Sequence, residues 1–187
     1  MQKTMHRKRG QAMVETIVVL VFLLFAFFAL FQFADNLRAK LLCEYAAGRC
    51  ARAATIGLNE FMVTKTARIA TMAAAGECLT KDEAGHALET GALVGRSPSY
   101  LECVNEAAAE QELDFDYWRN GRTRAQCVRS GSKIVATVTQ KRPQFFDLVA
   151  WVNGETAFRN DDDDNGPSDA TITGTASIEA HSPDWMQ

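Results

Sequence analysis

The longest apolar run in the chain lies near its N-terminus. Residues 17–31 are apolar without interruption, and between positions 12 and 34 only Glu15, Thr16 and Gln32 are polar. At about 1.5 Å of rise per residue, the 23 residues of the longer stretch would span ~34 Å as a helix. The hydrocarbon core of a bilayer is ~30 Å thick. The pattern therefore predicts one transmembrane helix at about residues 12–34.

A stripe of small residues follows this run. Residues 35–56 contain no proline and no turn signal, so we expect the helix to continue to about Gly57. Small side chains recur here at steps of three and four residues: Cys43, Ala46, Ala47, Cys50, Ala53, Ala54 and Gly57. Such a stripe lets another backbone approach closely. The backbone that approaches this stripe belongs either to the protein's own domain after the helix (residues 58–187, the head domain) or to a neighbouring subunit.

The remaining chain predicts further helices and then strands. Asn59 is placed to cap a second helix to about residue 75, and another helix is expected from about Ser99 to Glu112. From about residue 113 apolar and polar positions alternate, and Asn120-Gly121 is a strong hairpin signal. The expected strands are 113–117, a second ending near 128, 133–141 and 171–178. We predict an α+β fold in which a small antiparallel sheet of about four strands lies against the helices.

The charge is distributed unevenly along the chain. The formal net charge is −3, but the first ten residues contain four Lys or Arg and no acid. Basic residues before a membrane helix favour a cytoplasmic N-terminus, so the rest of the chain is expected outside. No basic patch follows, and the composition does not indicate nucleic-acid binding.

Glu15 is a carboxylate within the apolar run. A charge in hydrocarbon is costly and normally has a partner or a function. One interpretation is that Glu15 lies near the membrane edge and reaches water or Arg9. The other starts from its spacing, because Glu15 is the fifth residue after Gly10, which ends a basic stretch.

The string from Arg9 to Glu15, RGQAMVE, resembles the class III leader of type IV pilins. With the alanine-rich segment 46–54, it is similar to the TadE-like minor pilins of the tight-adherence (Tad/Flp) pilus systems of bacteria. Gln11 replaces the aromatic residue of many type IV pilins. Thr16 stands where major Flp pilins usually carry Tyr, and the chain is much longer than those subunits. The resemblance is therefore to a minor pilin or pseudopilin.

This resemblance implies a specific maturation and assembly pathway. A prepilin peptidase would cut between Gly10 and Gln11, and Glu15 would pair with the new α-amino group of a neighbouring subunit. The implied segments are a leader (1–10), an N-terminal helix (11–57) and a pilin-like head (58–187) with helices to about 112. The head would face the periplasm, while the helix contacts membrane lipid. Other major and minor pilins and the inner-membrane assembly platform would be partners.

Other membrane arrangements are possible from the same residues. A secretory signal peptide would have an apolar core of this kind, but the expected pair of small residues before a cleavage site is missing. An ordinary single-pass anchor needs no cleavage at all. The alternative function is therefore an uncleaved single-pass protein whose disulfide-bonded exterior domain binds a ligand or partner.

Five cysteines are typical of an oxidising compartment: Cys43, Cys50, Cys78, Cys103 and Cys127. Seven residues apart on one helix, Cys43 and Cys50 would have Cα atoms ~10.5 Å apart, beyond the ~7 Å limit for a disulfide. Each can pair only with one of the other three or stay free. We expect at least one disulfide to join the head to the helix, with one cysteine left over. The chain contains no C-x-x-C motif, which would have indicated a zinc site.

An acidic string at residues 161–169 resembles part of a calcium loop. Asp161, Asp163 and Asn165 before Gly166 match the first half of an EF-hand, and Asp169 falls at its ninth position. The twelfth position is Ile172 instead of Glu. The alternative is a solvated loop of like charges. Calcium is the one cofactor that the sequence suggests.

Two further features bear on function. The dense apolar segment 145–152 is expected either in the core or, if exposed, at a partner contact. The chain contains no Gly-x-Ser-x-Gly, P-loop or zinc-protease motif, and its three histidines are isolated. These residues do not indicate an enzyme, and the resemblance to minor pilins implies a role in pilus assembly instead.

Overall fold

The computed structural model describes residues 3–81, 88, 90–143 and 169–179, with side chains from Met13 onward except that of Thr90. The described part of the chain divides into two units, the first ending at Asn36 and the second beginning at Leu37. The helices are α1 (Lys3–Thr55), α2 (Glu60–Ala70), α3 (Thr90–Glu102) and α4 (Glu106–Glu112), and the strands are β1 (Thr123–Ser130), β2 (Lys133–Arg142) and β3 (Ala170–Glu179). The predicted α+β class is confirmed.

The first helix is continuous for 53 residues and ends where the glycine signal predicts. Gly57 has φ +87°, a conformation that glycine adopts without steric cost. Its N–H donates to Ala54 O at 3.1 Å, which satisfies a carbonyl at the helix end. Two residues later Asn59 Oδ1 accepts from the Met62 N–H at 2.8 Å and caps α2. The turn between α1 and α2 is therefore encoded locally.

The sheet is antiparallel with the order β1-β2-β3. Gly131, with φ +61°, lies in the tight turn between β1 and β2. The register aligns Cys127, Ala136 and Ala176 in one row and Ala125, Val138 and Gly174 in the next. These rows are on the face of the sheet that is turned towards α1, so the central part of this face is built from small side chains.

The core of the second unit forms where α1 meets this face. Buried residues on α1 are Ala39, Cys43, Ala46, Ala47, Cys50, Ala51 and Ala53, in one cluster with Ala125, Ala136, Val138 and Ile172 of the sheet. A Cβ atom added to Gly174 would overlap the backbone of Cys43 and Glu44. Helix and strand backbones are therefore in direct contact. The small stripe supports the protein's own head.

A second cluster holds the short helices together. It contains Ala75, Tyr100, Ala109, Leu113, Phe115 and Trp118. The Trp118 ring centroid lies 4.5 Å from that of Phe115 and 5.4 Å from that of Tyr100. Aromatic burial here links α3 and α4 to the chain segment that leads into β1.

That segment corrects the hairpin predicted at Asn120-Gly121. Residues Asp116–Gly121 form 3-10 turns, and Phe115 makes only an isolated bridge with Cys78. The described sheet thus has three strands, without one at 113–117. Burial in this second cluster, called the aromatic cluster below, explains the difference, because Leu113, Phe115 and Trp118 are all buried in it. Asn120 and Gly121 do adopt positive φ values, +53° and +64°, but they lie between a 3-10 turn and β1 and do not connect two strands.

The helix predicted from Ser99 to Glu112 is also corrected. α3 begins earlier, at Thr90, and contains Pro98, while α4 starts after a break. Asn105 Oδ1 accepts from the Ala108 N–H at 2.8 Å, so a local cap interrupts the helix.

The break between α3 and α4 is stabilised by a buried lysine. Lys65 Nζ donates to the carbonyl oxygens of Tyr100 at 3.1 Å, Leu101 at 2.6 Å and Cys103 at 2.7 Å. An ammonium has three donors, and each one has an acceptor here. Burial lowers the pKa of Lys65. The side chain therefore replaces the hydrogen-bond donors that the end of α3 lacks.

We predict that Gly174→Ala destabilises the head strongly. The added methyl group would overlap the α1 backbone, which cannot rotate away, so the cost is about 3 kcal/mol. Gly48→Ala is the matched control, because a Cβ at Gly48 meets no atom within 4 Å. That helical substitution should stabilise by about 0.5–1 kcal/mol. Denaturant unfolding of the detergent-solubilised protein measures both; equal effects would contradict the close backbone contact.

We predict that Lys65→Met lowers the free energy of unfolding by about 3 kcal/mol. The change removes three hydrogen bonds and leaves carbonyls at the end of α3 without their donor. The control is Lys133→Met, because Lys133 is exposed and makes only a 4.0 Å surface ion pair with Glu179. A loss for Lys65→Met no larger than that for the control would show that the buried cation is not needed.

Candidate functional site: the N-terminal helix

The N-terminal part of α1 exposes apolar side chains around its whole circumference. Met13, Val14 and every large apolar residue from Ile17 to Phe31 are exposed. None of the most apolar 18-residue window is buried. Within the part of the chain that the structure describes, this is the one helix long and apolar enough to cross a membrane. The finding supports membrane anchoring through α1.

The residues of the predicted maturation site lie on this helix. Gly10 and Gln11 are helical, and Glu15 follows one turn later with its side chain exposed. Val18 and Val19, on the next turn of the same face, are 62% and 54% exposed. The Glu15 carboxylate is thus followed on its face of the helix by exposed apolar side chains. The side chain of Arg9, which one interpretation pairs with Glu15, lies outside the described side chains.

No described side chain forms an ion pair with Glu15. In water this has no cost. In a membrane or a protein core, an unpaired charged carboxylate is strongly destabilising, so burial of this surface would favour a positive partner for Glu15.

The five cysteines are distributed over the two clusters of the head unit. Cys43, Cys50 and Cys127 belong to the α1–sheet core, and Cys78 and Cys103 pack against the aromatic cluster. All five are free thiols. The predicted disulfide between helix and head is therefore not formed in this structure, and α1 is held on the sheet by packing. Burial raises the pKa of Cys43 to about 11 and that of Cys50 to about 12.

The calcium prediction falls mostly outside the described residues. Asp161, Asp163 and Asn165 lie there, as does the apolar segment 145–152. Asp169 is exposed directly before β3. Within the described ranges no three His, Cys, Asp or Glu side chains come together. Calcium binding by the acidic string remains a prediction.

Sequence reasoning missed the buried polar groups of the head. Lys65 and Arg68 are charged residues on a short helix, where the pattern predicts solvent exposure. Arg68 pairs with Glu106 at 3.2 Å and donates to Trp118 O at 3.3 Å. Gln140 is fully buried, and its Nε2 donates to Ala74 O at 3.2 Å. These contacts connect distant segments and fix the head internally.

The N-terminal segment is similar to a known protein family. The family model "TadE-like protein" matches residues 10–52. Searches of curated proteins and of solved structures returned no significant match. The matched segment begins at Gly10 and includes Glu15, the apolar run and most of the small stripe. The resemblance seen in the sequence is confirmed over this segment: residues 10–52 are similar to the TadE-like family.

Proposed function

We propose that this protein is a minor pilin or pseudopilin that is cleaved after Gly10 and takes part in assembling or priming a Tad-type pilus. Its role is structural and involves no catalysis. The family match begins at the proposed cleavage site, and the TadE-like family is a structural kind of protein. The apolar helix surface supplies the membrane anchor before assembly and a packing surface afterwards.

The observation that carries this proposal is the exposed Glu15 carboxylate near the start of the apolar part of α1. Cleavage after Gly10 creates a positive α-amino group on Gln11. Opposite charges attract strongly where water is excluded, whereas either one alone is costly there. Glu15 of one subunit and the new terminus of a neighbouring pilin would therefore compensate each other. This pairing favours a neighbour in register over lipid.

The four basic residues before the apolar run support an orientation for the protein. The N-terminus would stay on the cytoplasmic side of the inner membrane, within reach of the prepilin peptidase. The head would lie in the periplasm and, after assembly, on the outside of the pilus. Removal of the leader leaves 16 basic and 23 acidic residues, a formal charge of −7. Major and minor pilins and the assembly platform are the partners.

We predict that the mature chain begins at Gln11. N-terminal mass spectrometry of protein extracted from membranes with an active prepilin peptidase measures this directly. Gly10→Ala should retain the leader, because the peptidase of this leader type cuts after glycine. Gly48→Ala, in the same helix, should be processed normally. A wild-type chain that keeps residues 1–10 under these conditions would instead support an uncleaved anchor with an exterior binding domain.

We predict that Glu15→Gln spares membrane insertion and reduces pilus assembly at least about tenfold. Removing one partner of a buried ion pair leaves the other uncompensated, which costs roughly 3–5 kcal/mol. Asp35→Asn is the matched control, because it removes the same charge just beyond the apolar run. Membrane fractionation and the yield of sheared pili are the two readouts. Normal piliation in Glu15→Gln, or an equal loss in both variants, would contradict the role of Glu15.

A further inference from the structure

Two cysteines from different elements meet in the α1–sheet core. Cys50 lies on α1 and is fully buried, and Cys127 lies on β1 and is partly buried. The Cys127 thiol approaches the backbone carbonyl oxygen of Cys50, with Sγ at 3.8 Å. The two residues are 77 positions apart in the chain. A bond between them would join the N-terminal helix to a strand far along the head's sequence.

The direction of α1 across the sheet selects this pair. At Cys43 the helix backbone lies on Gly174 of β3, and at Cys50 it has reached Cys127 of β1. β2 separates these strands, so the two contacts are about 10 Å apart across the sheet. Seven helical residues also cover about 10.5 Å. Cys43 is therefore too distant from Cys127 for a disulfide, and it is equally too far from Cys50.

The other two cysteines do not compete for this position. Cys78 and Cys103 pack against the aromatic cluster, not the α1–sheet core. Their thiols approach backbone oxygens of Thr80 and Ser99, at 3.6 Å and 3.2 Å. Among the five cysteines, Cys127 and Cys50 are the one pair in which the thiol of one residue approaches the backbone of the other.

We propose that Cys50 and Cys127 form an intramolecular disulfide when the head folds in an oxidising compartment. The two thiols lose two protons and two electrons, and an S–S bond forms. The electrons reduce the disulfide of a protein or small-molecule oxidant to two thiols. In the exchange one cysteine first forms a mixed disulfide with the oxidant, and the thiolate of the other then displaces the reduced oxidant.

Burial makes this bond a permanent link and not a reversible switch. Desolvation raises the pKa of Cys50 to about 12 and also raises that of Cys127. The thiolate is the reactive form, so exchange in the folded domain is slow. The bond is therefore made while the chain is still open. Once formed, it lies in the small-residue core, where reductants have little access.

The location of the oxidising compartment rests on the proposed function, whereas the pairing rests on geometry alone. The test separates the two. Full-length protein is reduced, unfolded in guanidinium with detergent, and refolded in a mixture of oxidised and reduced glutathione. Remaining thiols are alkylated before tryptic digestion without reductant. Trypsin places the cysteines in separate peptides: residues 41–49, 50–52, 69–81, 97–119 and 125–129.

The expected product is residues 50–52 linked to residues 125–129, and Cys127→Ala should abolish it. Cys43→Ala is the matched control on the same face of α1 and should retain the link. The oxidised protein should melt at least about 5 °C above the reduced protein. Linkage of residues 41–49 to 125–129, or no link to 125–129, would overturn the pairing. A link that forms on refolding but not in membrane-derived protein would keep the pairing and contradict the proposed periplasmic head.

Discussion

The head depends on the direct contact between the backbone of α1 at Cys43 and Gly174 of β3. Close approach of a helix to a sheet is possible only when side chains on both sides are small. The alanines and cysteines of α1 meet Ala125, Ala136 and Ala176 of the sheet, so the condition is satisfied on both surfaces. Because such residues bury little apolar area each, the stability of this core comes from close packing over many contacts.

The same helix carries two different surfaces in sequence. Its later part presents one small-residue stripe that is covered within the chain, while its first part is apolar on all sides and uncovered. A surface of the second kind requires lipid or other apolar helices around it. In the proposed function, Glu15 makes this requirement more specific, since its carboxylate would pair with a positive group in the same apolar surroundings. Anchoring and assembly would then both be properties of α1.

Sequence patterns predict best the features that depend on local interactions. The length of α1, the Gly57 and Asn59 signals and the β2–β3 strands follow from periodicity and caps, which act within a few residues. The strand and hairpin predicted over 113–121 are wrong because Leu113, Phe115 and Trp118 are instead buried among the short helices. Lys65 and Gln140 carry no sequence signal of burial, because their acceptors lie 35 or more residues away.

The candidate functional residues show the same difference between local patterns, which the sequence reveals, and contacts between distant residues, which it does not. The spacing of Gly10 and Glu15 is a local pattern and can be recognised from the sequence alone. The approach of Cys127 to Cys50 cannot be, because it depends on the angle at which α1 crosses three strands. The geometry of a single helix excludes only a disulfide between Cys43 and Cys50. Cross-element distances decide the remaining possibilities, and these require the fold.

The most direct test of the central claim is zero-length carbodiimide cross-linking of assembled pili. This reagent joins a carboxylate to an amine only when they are in contact. The account predicts a peptide in which Glu15 is covalently attached to the N-terminal residue of a neighbouring pilin. Pili that contain this protein with Glu15 unmodified, while other carboxylate–amine pairs cross-link normally, would contradict it.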